Sequence, residues 1–129
     1  MSASTGAAIV GRIKAQNLRC YEAEPSSSTY PYVVVYADSA PRSSDREADV
    51  RVQADLGWQT TVVGETAGQC RAALDRVVDA LTDWRPTLPG RAFHKVEHLS
   101  SQVVRSDDDL PDRSLFIATD QWRVVSDPI

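Results

Sequence analysis

The sequence predicts an α+β domain: a small mixed, mostly antiparallel sheet with one long helix and one shorter N-terminal helix packed on one face. Three observations predict it. Residues 50–63 alternate between mainly apolar and mainly polar side chains, a capped helical stripe begins at Thr66, and the elements follow the order helix, strands, long helix, strands. The 129 residues correspond to one domain spanning residues 1–129.

The first third of the chain predicts a short helix and two strands. Residues 5–18 predict the helix, because Ile9 and Ile13 are spaced by four. Residues 19–24 predict a short strand. Residues 30–37 contain the run Tyr-Val-Val-Val-Tyr, which is typical of a strand covered on both faces or nearly so.

The most regular strand pattern runs over residues 50–63. One parity is mostly polar or charged, and the other is apolar apart from one threonine, so we expect one buried face and one solvated face. Gly57 predicts a bend or a bulge within the strand. The apolar parity contains Val50, Val52, Ala54, Leu56, Trp58, Thr60 and Val62.

The long helix follows at once. Thr66 and Gln69 have the spacing of a capping box, with Thr66 as N-cap and Gln69 reaching back. Pro86 predicts that the helix ends at about Arg85. The apolar stripe contains Ala67, Cys70, Leu74, Val77, Val78, Leu81 and Trp84.

The C-terminal third predicts a turn at residues 88–90, a strand over 92–99 that continues through 102–105, and a last strand over 115–125. In the last strand Phe116, Ala118, Trp122 and Val124 share one parity. Residues 127–129 are predicted to be a free end.

Composition excludes several function classes. The net charge of −4 argues against nonspecific nucleic-acid binding, which depends on excess positive charge. No stretch reaches the length of a transmembrane helix, and the N-terminus lacks the pattern of a signal peptide, so we expect folding in a reducing cytoplasm. Cys20 and Cys70 do not form a disulfide framework, and Cys70 is expected to be a buried thiol.

The sequence does not predict a catalytic, cofactor or metal site. Residues 94–98 match H-x-x-E-H, but zinc chemistry needs both histidines on one helical face, and this segment is predicted to be extended. The acidic segment predicts a solvated loop in preference to a cation site; it contains Asp107, Asp108 and Asp109. The spacing of serine, histidine and aspartate residues along the chain does not exclude a Ser-His-Asp triad, because triads assemble in space. No nucleophile motif supports one. We therefore expect a protein that is not an enzyme.

Interaction surfaces are the remaining candidates for function. The tryptophans Trp58, Trp84 and Trp122 lie on apolar parities and are expected in the core, with an interface as the alternative. The solvated face of the strand over 50–63 and the aspartate-rich face of the long helix are then the surfaces open to a partner.

An ordered set of segments resembles the tail terminator proteins of long-tailed actinobacterial phages, over about residues 30–125. The resemblance is distributed over the chain rather than concentrated in one motif. Its segments are Tyr-Pro-Tyr-Val-Val-Val-Tyr at 30–36, Arg-Ser-Ser-Asp-Arg at 42–46, the alternating strand, Cys-Arg-Ala-Ala-Leu at 70–74, Arg-Pro-x-x-Pro-Gly at 85–90, Ser-Asp-Asp-Asp at 106–109, and Leu-Phe-x-Ala-x-Asp at 115–120.

The resemblance implies a structural virion protein without catalysis. It implies a homo-oligomeric ring, typically of six copies, at the head-proximal end of the tail, assembled in the host cytoplasm. The ring ends tube polymerisation, and its partners are the tail tube protein and a head-completion or connector protein. The loop carrying Arg42 and Arg46 and the acidic loop carrying Asp107, Asp108 and Asp109 are candidate interface segments of opposite charge.

Two other functions stay open. A different head-tail joining or connector protein would have similar size and no active site. A small intracellular α+β enzyme or ligand-binding domain is the second alternative. Ring formation on tail tubes distinguishes the terminator from both.

Overall fold

The computed structural model describes residues 3–23, 29–37, 54–102, 104–107 and 115–128. These residues form two helices and eight strands. The helices are α1 (Ala3–Lys14) and α2 (Ala67–Leu81), and the strands are β1 (Arg19–Glu22), β2 (Tyr32–Ala37), β3 (Ala54–Gly64), β4 (Thr87–Leu88), β5 (Arg91–Phe93), β6 (Glu97–Ser101), β7 (Arg105–Asp107) and β8 (Leu115–Pro128).

All eight strands belong to one mixed sheet, which confirms the predicted fold class. The path of the sheet is β1-β2-β3-β8-β5-β4, and β6 and β7 also pair with β8. Only β1 and β2 are parallel among these strands; every other pair is antiparallel. The long strand β8 therefore has β3 along one side and β7, β6 and β5 in succession along the other.

The register of β3 and β8 places their apolar parities side by side. Leu56 pairs with Val124, Trp58 with Trp122, and Val62 with Ala118. Because strand side chains alternate with a period of two, this register puts the apolar rows of both strands on one face, here called the core face.

Both helices cover the core face. Arg12 in α1 ties the two helices together, since its Nε donates to the Ala80 carbonyl over 2.8 Å. The buried residues that pack together are Ile9, Ile13, Leu18, Cys20, Val33, Val35, Leu56, Trp58, Val62, Cys70, Ala73, Val77, Leu81, Phe93, Val96, Ala118, Trp122 and Val124. No helix in the described part of the chain is long and apolar enough to cross a membrane.

The N-terminus of α2 confirms the predicted cap and refines it. The Gln69 N–H donates to Thr66 Oγ1 over 3.0 Å. The Gln69 side chain accepts from the Glu65 N–H at 2.6 Å, one residue before the N-cap that a capping box uses. Thr66 is thus the N-cap, and the reciprocal bond is displaced by one residue.

The prediction that α2 continues to Arg85 is wrong, because the helix ends at Leu81. Asp83 has a φ of 60°, outside the helical region. A tertiary contact replaces the next turn: the Asp83 N–H donates to the Val96 carbonyl and the Val96 N–H donates to the Trp84 carbonyl, over 3.3 and 2.7 Å. Trp84 therefore leaves the helical stripe but still packs against the core.

The buried stripe of α2 is also rotated from its predicted position. Ala73 and Ala80 are buried, whereas Leu74 and Val78 are partly buried and pack against the core edge. The two alanines thus face the core together with Val77 and Leu81, and Leu74 and Val78 lie at its edge. Cys70 is buried as predicted, and so is Cys20.

The C-terminal strands differ from prediction in two places. The strand predicted over 92–99 is interrupted at 94–96, so that β5 and β6 pair with separate parts of β8. The predicted free end at 127–129 is wrong for its first two residues, which lie in β8 opposite Ala92 and Arg91. The Arg91 guanidinium strengthens this pairing by donating to the Ser126 carbonyl and hydroxyl, both over 3.0 Å.

The remaining boundaries agree closely with the sequence. Helix α1 begins two residues before and ends four residues before its predicted limits, while β1 ends two residues early and β2 begins two residues late. The predicted turn at 88–90 is the tight connection between β4 and β5, where Gly90 has a φ of 81°. Residues 50–53 of the predicted third strand lie outside the described residues.

Gly64 is a position where the fold requires glycine. A Cβ there would lie 2.9 Å from the Cys70 backbone nitrogen, because the end of β3 approaches the first turn of α2. We expect Gly64→Ala to lower the free energy of unfolding by about 1–3 kcal/mol through overpacking. Gly11→Ala is the matched control: a Cβ at Gly11 meets no atom within 4 Å, so we expect it to stabilise α1 by about 0.5–1 kcal/mol. Equal denaturation midpoints for the two variants would contradict this packing.

Candidate functional site

The sheet face opposite the helices, here called the outer face, carries a chain of hydrogen bonds between side chains. Gln121 Nε2 donates to Gln59 Oε1 over 2.9 Å, and Gln59 Nε2 is 3.4 Å from Thr61 Oγ1. Thr61 Oγ1 in turn lies 3.3 Å from Thr119 Oγ1. The side-chain amides and hydroxyls of β3 and β8 therefore hydrogen-bond to one another. This lowers the desolvation free energy that a partner protein would have to overcome to bury them.

An ionic cluster extends this row along the same face. Arg123 makes a two-pronged contact with Asp55, with Nε and Nη2 at 2.8 and 2.9 Å from the two carboxylate oxygens. Its Nη1 lies 3.4 Å from Glu97 Oε2. The hydrogen bonds to Asp55 raise the pKa of the Arg123 guanidinium above its ordinary value. One arginine between two carboxylates leaves a single net negative charge at this end of the outer face.

The opposite end of the outer face is aromatic. The rings of Tyr21 and Tyr30 lie 6.1 and 5.5 Å from that of Tyr32. Burial, followed by the neighbouring tyrosines, raises the pKa of Tyr32. Val34 and Val63 on this face are buried although they are not part of the main core, so the central residues of β2 are buried on both faces as predicted.

The second predicted surface, on α2, is exposed and carries both signs of charge. Arg71, Asp75, Arg76 and Asp79 are exposed along its solvent side. The outer face is the better prepared of the two surfaces, because its side chains are already fixed by cross-strand contacts and it combines tyrosine and arginine, residues enriched at protein interfaces.

The predicted interface residues lie mostly outside the described part of the chain. Arg42, Arg46, Asp108 and Asp109 are not among the described residues. Asp107 is the last residue of β7, where its backbone pairs with Leu115. The proposed pairing of these two charged loops across an interface therefore stays a prediction.

A buried carboxyl group is the feature that sequence reasoning missed. Asp120 lies on the core face of β8 and is fully buried, and neither carboxyl oxygen has a hydrogen-bond partner among the described residues. His98 Nε2 is 3.7 Å away, which is within ion-pair distance, and the His98 ring stacks on Trp122 at 4.3 Å. The available signal was an aspartate on the apolar parity of the last strand.

The two histidines of the H-x-x-E-H segment contact different carboxylates. His94 Nε2 lies 2.6 Å from Asp127 Oδ2, whereas His98 is directed to Asp120, seven residues earlier in β8. The segment crosses from a loop into β6 instead of forming a helix. Within the described residues, no three potential ligands come together around one point that could hold a metal ion.

The His98–Asp120 pair leads to a stability prediction. His98→Ala removes the side chain that faces a fully buried carboxyl group, and we expect the free energy of unfolding to fall by about 2 kcal/mol. Removing one partner of a fully buried pair costs ~3–5 kcal/mol of stability. We expect a smaller loss for His98→Ala because the His98 side chain is 27% exposed. His94→Ala is the matched control, since both partners of that pair are exposed and the loss should stay below about 1 kcal/mol.

The reason for the His98→Ala loss is testable with a second substitution. In the His98→Ala background, Asp120→Asn replaces the carboxyl group that has lost its partner, so chemical denaturation should show partial recovery of stability. Additive losses in the double variant would contradict an interaction between the two side chains.

The comparison with protein families decides the identity. The family model of tail completion protein gp17 matches residues 1–117 of the 129. The chain belongs to this tail completion family. The family is one of structural phage tail proteins, which agrees with the resemblance in the sequence. Comparison with curated protein sequences gives no match.

Solved structures share the fold of this tail completion protein over nearly its whole length. A chain described as "Virion of native gene transfer agent (GTA) particle" superposes with a TM-score of 0.68 at 19% identity, covering 98% of each chain. A second solved chain gives a TM-score of 0.51 at 17% identity and covers 96% of each chain. At these identities the similarity establishes the fold.

Proposed function

We propose that this tail completion protein caps the phage tail tube as an oligomeric ring, ending tube polymerisation and presenting the surface that joins the head. The family match over residues 1–117 is the observation that carries the proposal. The similar fold of a chain from a gene transfer agent virion supports a location in the virion. The head-proximal end of the tail is the place where such a cap would lie.

The size of the protein supports a ring. A domain of 129 residues has a radius of gyration of roughly 14 Å, so a single copy is small compared with the circumference of a tube end. Several copies are needed, and head-to-tail contacts that close produce a ring. We propose six copies, which is typical of the resembling tail terminators.

Each side of the ring has its own partner in this proposal. The tail tube protein binds one side, and a head-completion or connector protein binds the other. The outer face offers a prearranged surface for one of these contacts. The loops carrying Arg42, Arg46 and Asp107 to Asp109 are proposed to steer subunits together by opposite charge, an effect that salt weakens.

Tube growth gives a direct test. Purified protein added to polymerising tail tube protein of the same virus should bind only at tube ends and should shorten the tubes in proportion to its concentration. Electron microscopy of gold-labelled protein measures both effects. The variant Thr119→Arg, on the outer face, is compared with Arg76→Ala on α2 to learn which surface the tube contacts.

A head-tail connector is the second candidate, because the matched gene transfer agent particle is described only as a whole virion. Binding along the whole tube, or unchanged tube length, would contradict the terminator. Binding to head connectors without binding to tube ends would favour the connector.

A further inference from the structure

Among the described residues, β1 is the outermost strand on one side of the sheet, and β7, β6 and β4 are the outermost strands along the other side. Strand β1 pairs only with β2 at one edge, and β6 pairs only with β8 at the other. All five residues of β6 are exposed. Unpaired strand edges expose N–H and C=O groups that can pair with another chain.

The strand directions make these two edges complementary. Strand β1 runs parallel to β2, and the steps from β2 to β3, to β8 and to β6 are all antiparallel. Strands β1 and β6 therefore run in opposite directions within the same sheet. A second copy placed beside the first in the same orientation presents its β1 antiparallel to β6, the more stable kind of pairing.

The side-chain faces select a register. On β1, Arg19 and Tyr21 lie on the outer face and Cys20 on the core face, as their neighbours in β2 show. On β6, Ser100 is on the outer face and Ser101 on the core face, as their partners in β8 show. Antiparallel pairing of Tyr21 with Ser100 places Cys20 opposite Ser101, so that the faces match in both pairs.

Charge favours the same register over its nearest alternative. In an unstaggered arrangement Arg19 would face Arg105, because the two residues lie at the same height in the sheet, and like charges directly opposite are destabilising. A shift by two residues of β8, from Ile117 to Thr119, places Arg19 opposite Gln102 and brings Glu22 near His98. A stagger between neighbours is also what tilted strands require when they close around an axis.

Leu99 supplies an apolar contact at this edge. It is 56% exposed, and it lies where the register between β6 and β8 shifts. The bulge displaces Leu99 from the ladder, next to the position where the half-buried Tyr21 of a second copy would lie. An exposed leucine beside an unpaired strand edge favours aggregation of an isolated subunit, whereas at a contact between subunits its burial stabilises the pairing.

We propose that β1 of one copy pairs antiparallel with β6 of the next, so that the sheet continues from subunit to subunit around the ring. The partner is a second copy of this chain, and the inference rests on the proposed ring. The contact is heterologous, since it joins two different edges, and can therefore close into a ring.

Disulfide trapping tests the register. Arg19 and Gln102 are both exposed, so Arg19→Cys with Gln102→Cys in one chain should preserve the fold. The native thiols should not compete, because burial raises the pKa of Cys20 to about 12 and that of Cys70 to about 11, which keeps them protonated at neutral pH. Mild oxidation on tail tube tips should give a ladder of cross-linked species beyond the dimer.

Matched controls identify other arrangements. The pair Arg19→Cys with Arg105→Cys probes the unstaggered register and should cross-link at least roughly tenfold less. Each single variant should stay monomeric on denaturing gels, whereas a dimer from one single variant would indicate a two-fold contact and overturn the proposal. Leu99→Asp should raise the concentration needed for ring formation roughly tenfold, while Ala72→Asp on the exposed side of α2 should leave it unchanged.

The outcomes separate this inference from the proposed function. Rings on tube ends, seen by microscopy, without cross-linking between residues 19 and 102 would overturn edge pairing and leave the terminator function intact. The absence of any oligomer at tube ends would overturn the ring and, with it, the edge contact.

Discussion

Val77→Asp is expected to lower the free energy of unfolding by more than about 4 kcal/mol, enough to leave little folded protein at room temperature. Val77 is fully buried in the middle of α2 and belongs to the main core. A carboxylate there would lose its hydration among apolar side chains that cannot pair with it. Circular dichroism and urea denaturation measure the loss.

Two matched substitutions in the same helix control for helix propensity. Leu74→Asp should be clearly less damaging, because Leu74 is only partly buried at the edge of the core. Ala72→Asp should change stability by about 0.5 kcal/mol or less beyond the propensity difference, because Ala72 is exposed. If Leu74→Asp proved worse than Val77→Asp, the orientation of α2 would be wrong.

Trp122→Ala should be the most damaging truncation in the sheet, with a loss of about 3–5 kcal/mol. Trp122 is buried at the centre of β8, its Nε1 donates to Thr60 Oγ1 over 2.9 Å, and its ring stacks on His98. Truncation therefore creates a cavity, removes a buried hydrogen bond and takes away the support of the histidine that faces Asp120.

Trp122→Phe separates these contributions. It keeps much of the packing and a surface for stacking but removes the indole N–H, so we expect a loss of about 1–3 kcal/mol. Urea denaturation followed by far-ultraviolet circular dichroism gives both values. A loss below about 1 kcal/mol for Trp122→Ala would contradict the central position of this residue.

The two sides of the sheet serve different purposes in the proposed assembly. The core face carries the stability of the subunit through the two tryptophans and the helices. On the outer face, polar side chains of β3 and β8 bond to one another. The edges at β1 and β6 have no further strand partner within the described part of the chain. Substitutions on the core face should therefore affect melting first, whereas those on the outer face and edges should affect assembly with little change in melting.

The alternating pattern of residues 54–63 and 115–125 was enough to predict both central strands and the face that each buries. A period of two places alternate side chains on one side whatever the rest of the fold does. The N-cap at Thr66 was equally predictable, because its hydrogen bond to the Gln69 N–H joins residues three apart. Local geometry of this kind depends only on neighbours in the chain.

Tertiary structure decided the features that depend on residues far apart in the chain. The end of α2 at Leu81 depends on Val96, which takes the hydrogen bonds of residues 83 and 84. The burial of Asp120 depends on His98 and Trp122 meeting across two strands. The strands β7, β6 and β5 share one edge of β8. Which part of that edge each strand occupies depends on all three together, so the sequence of one short segment does not determine it.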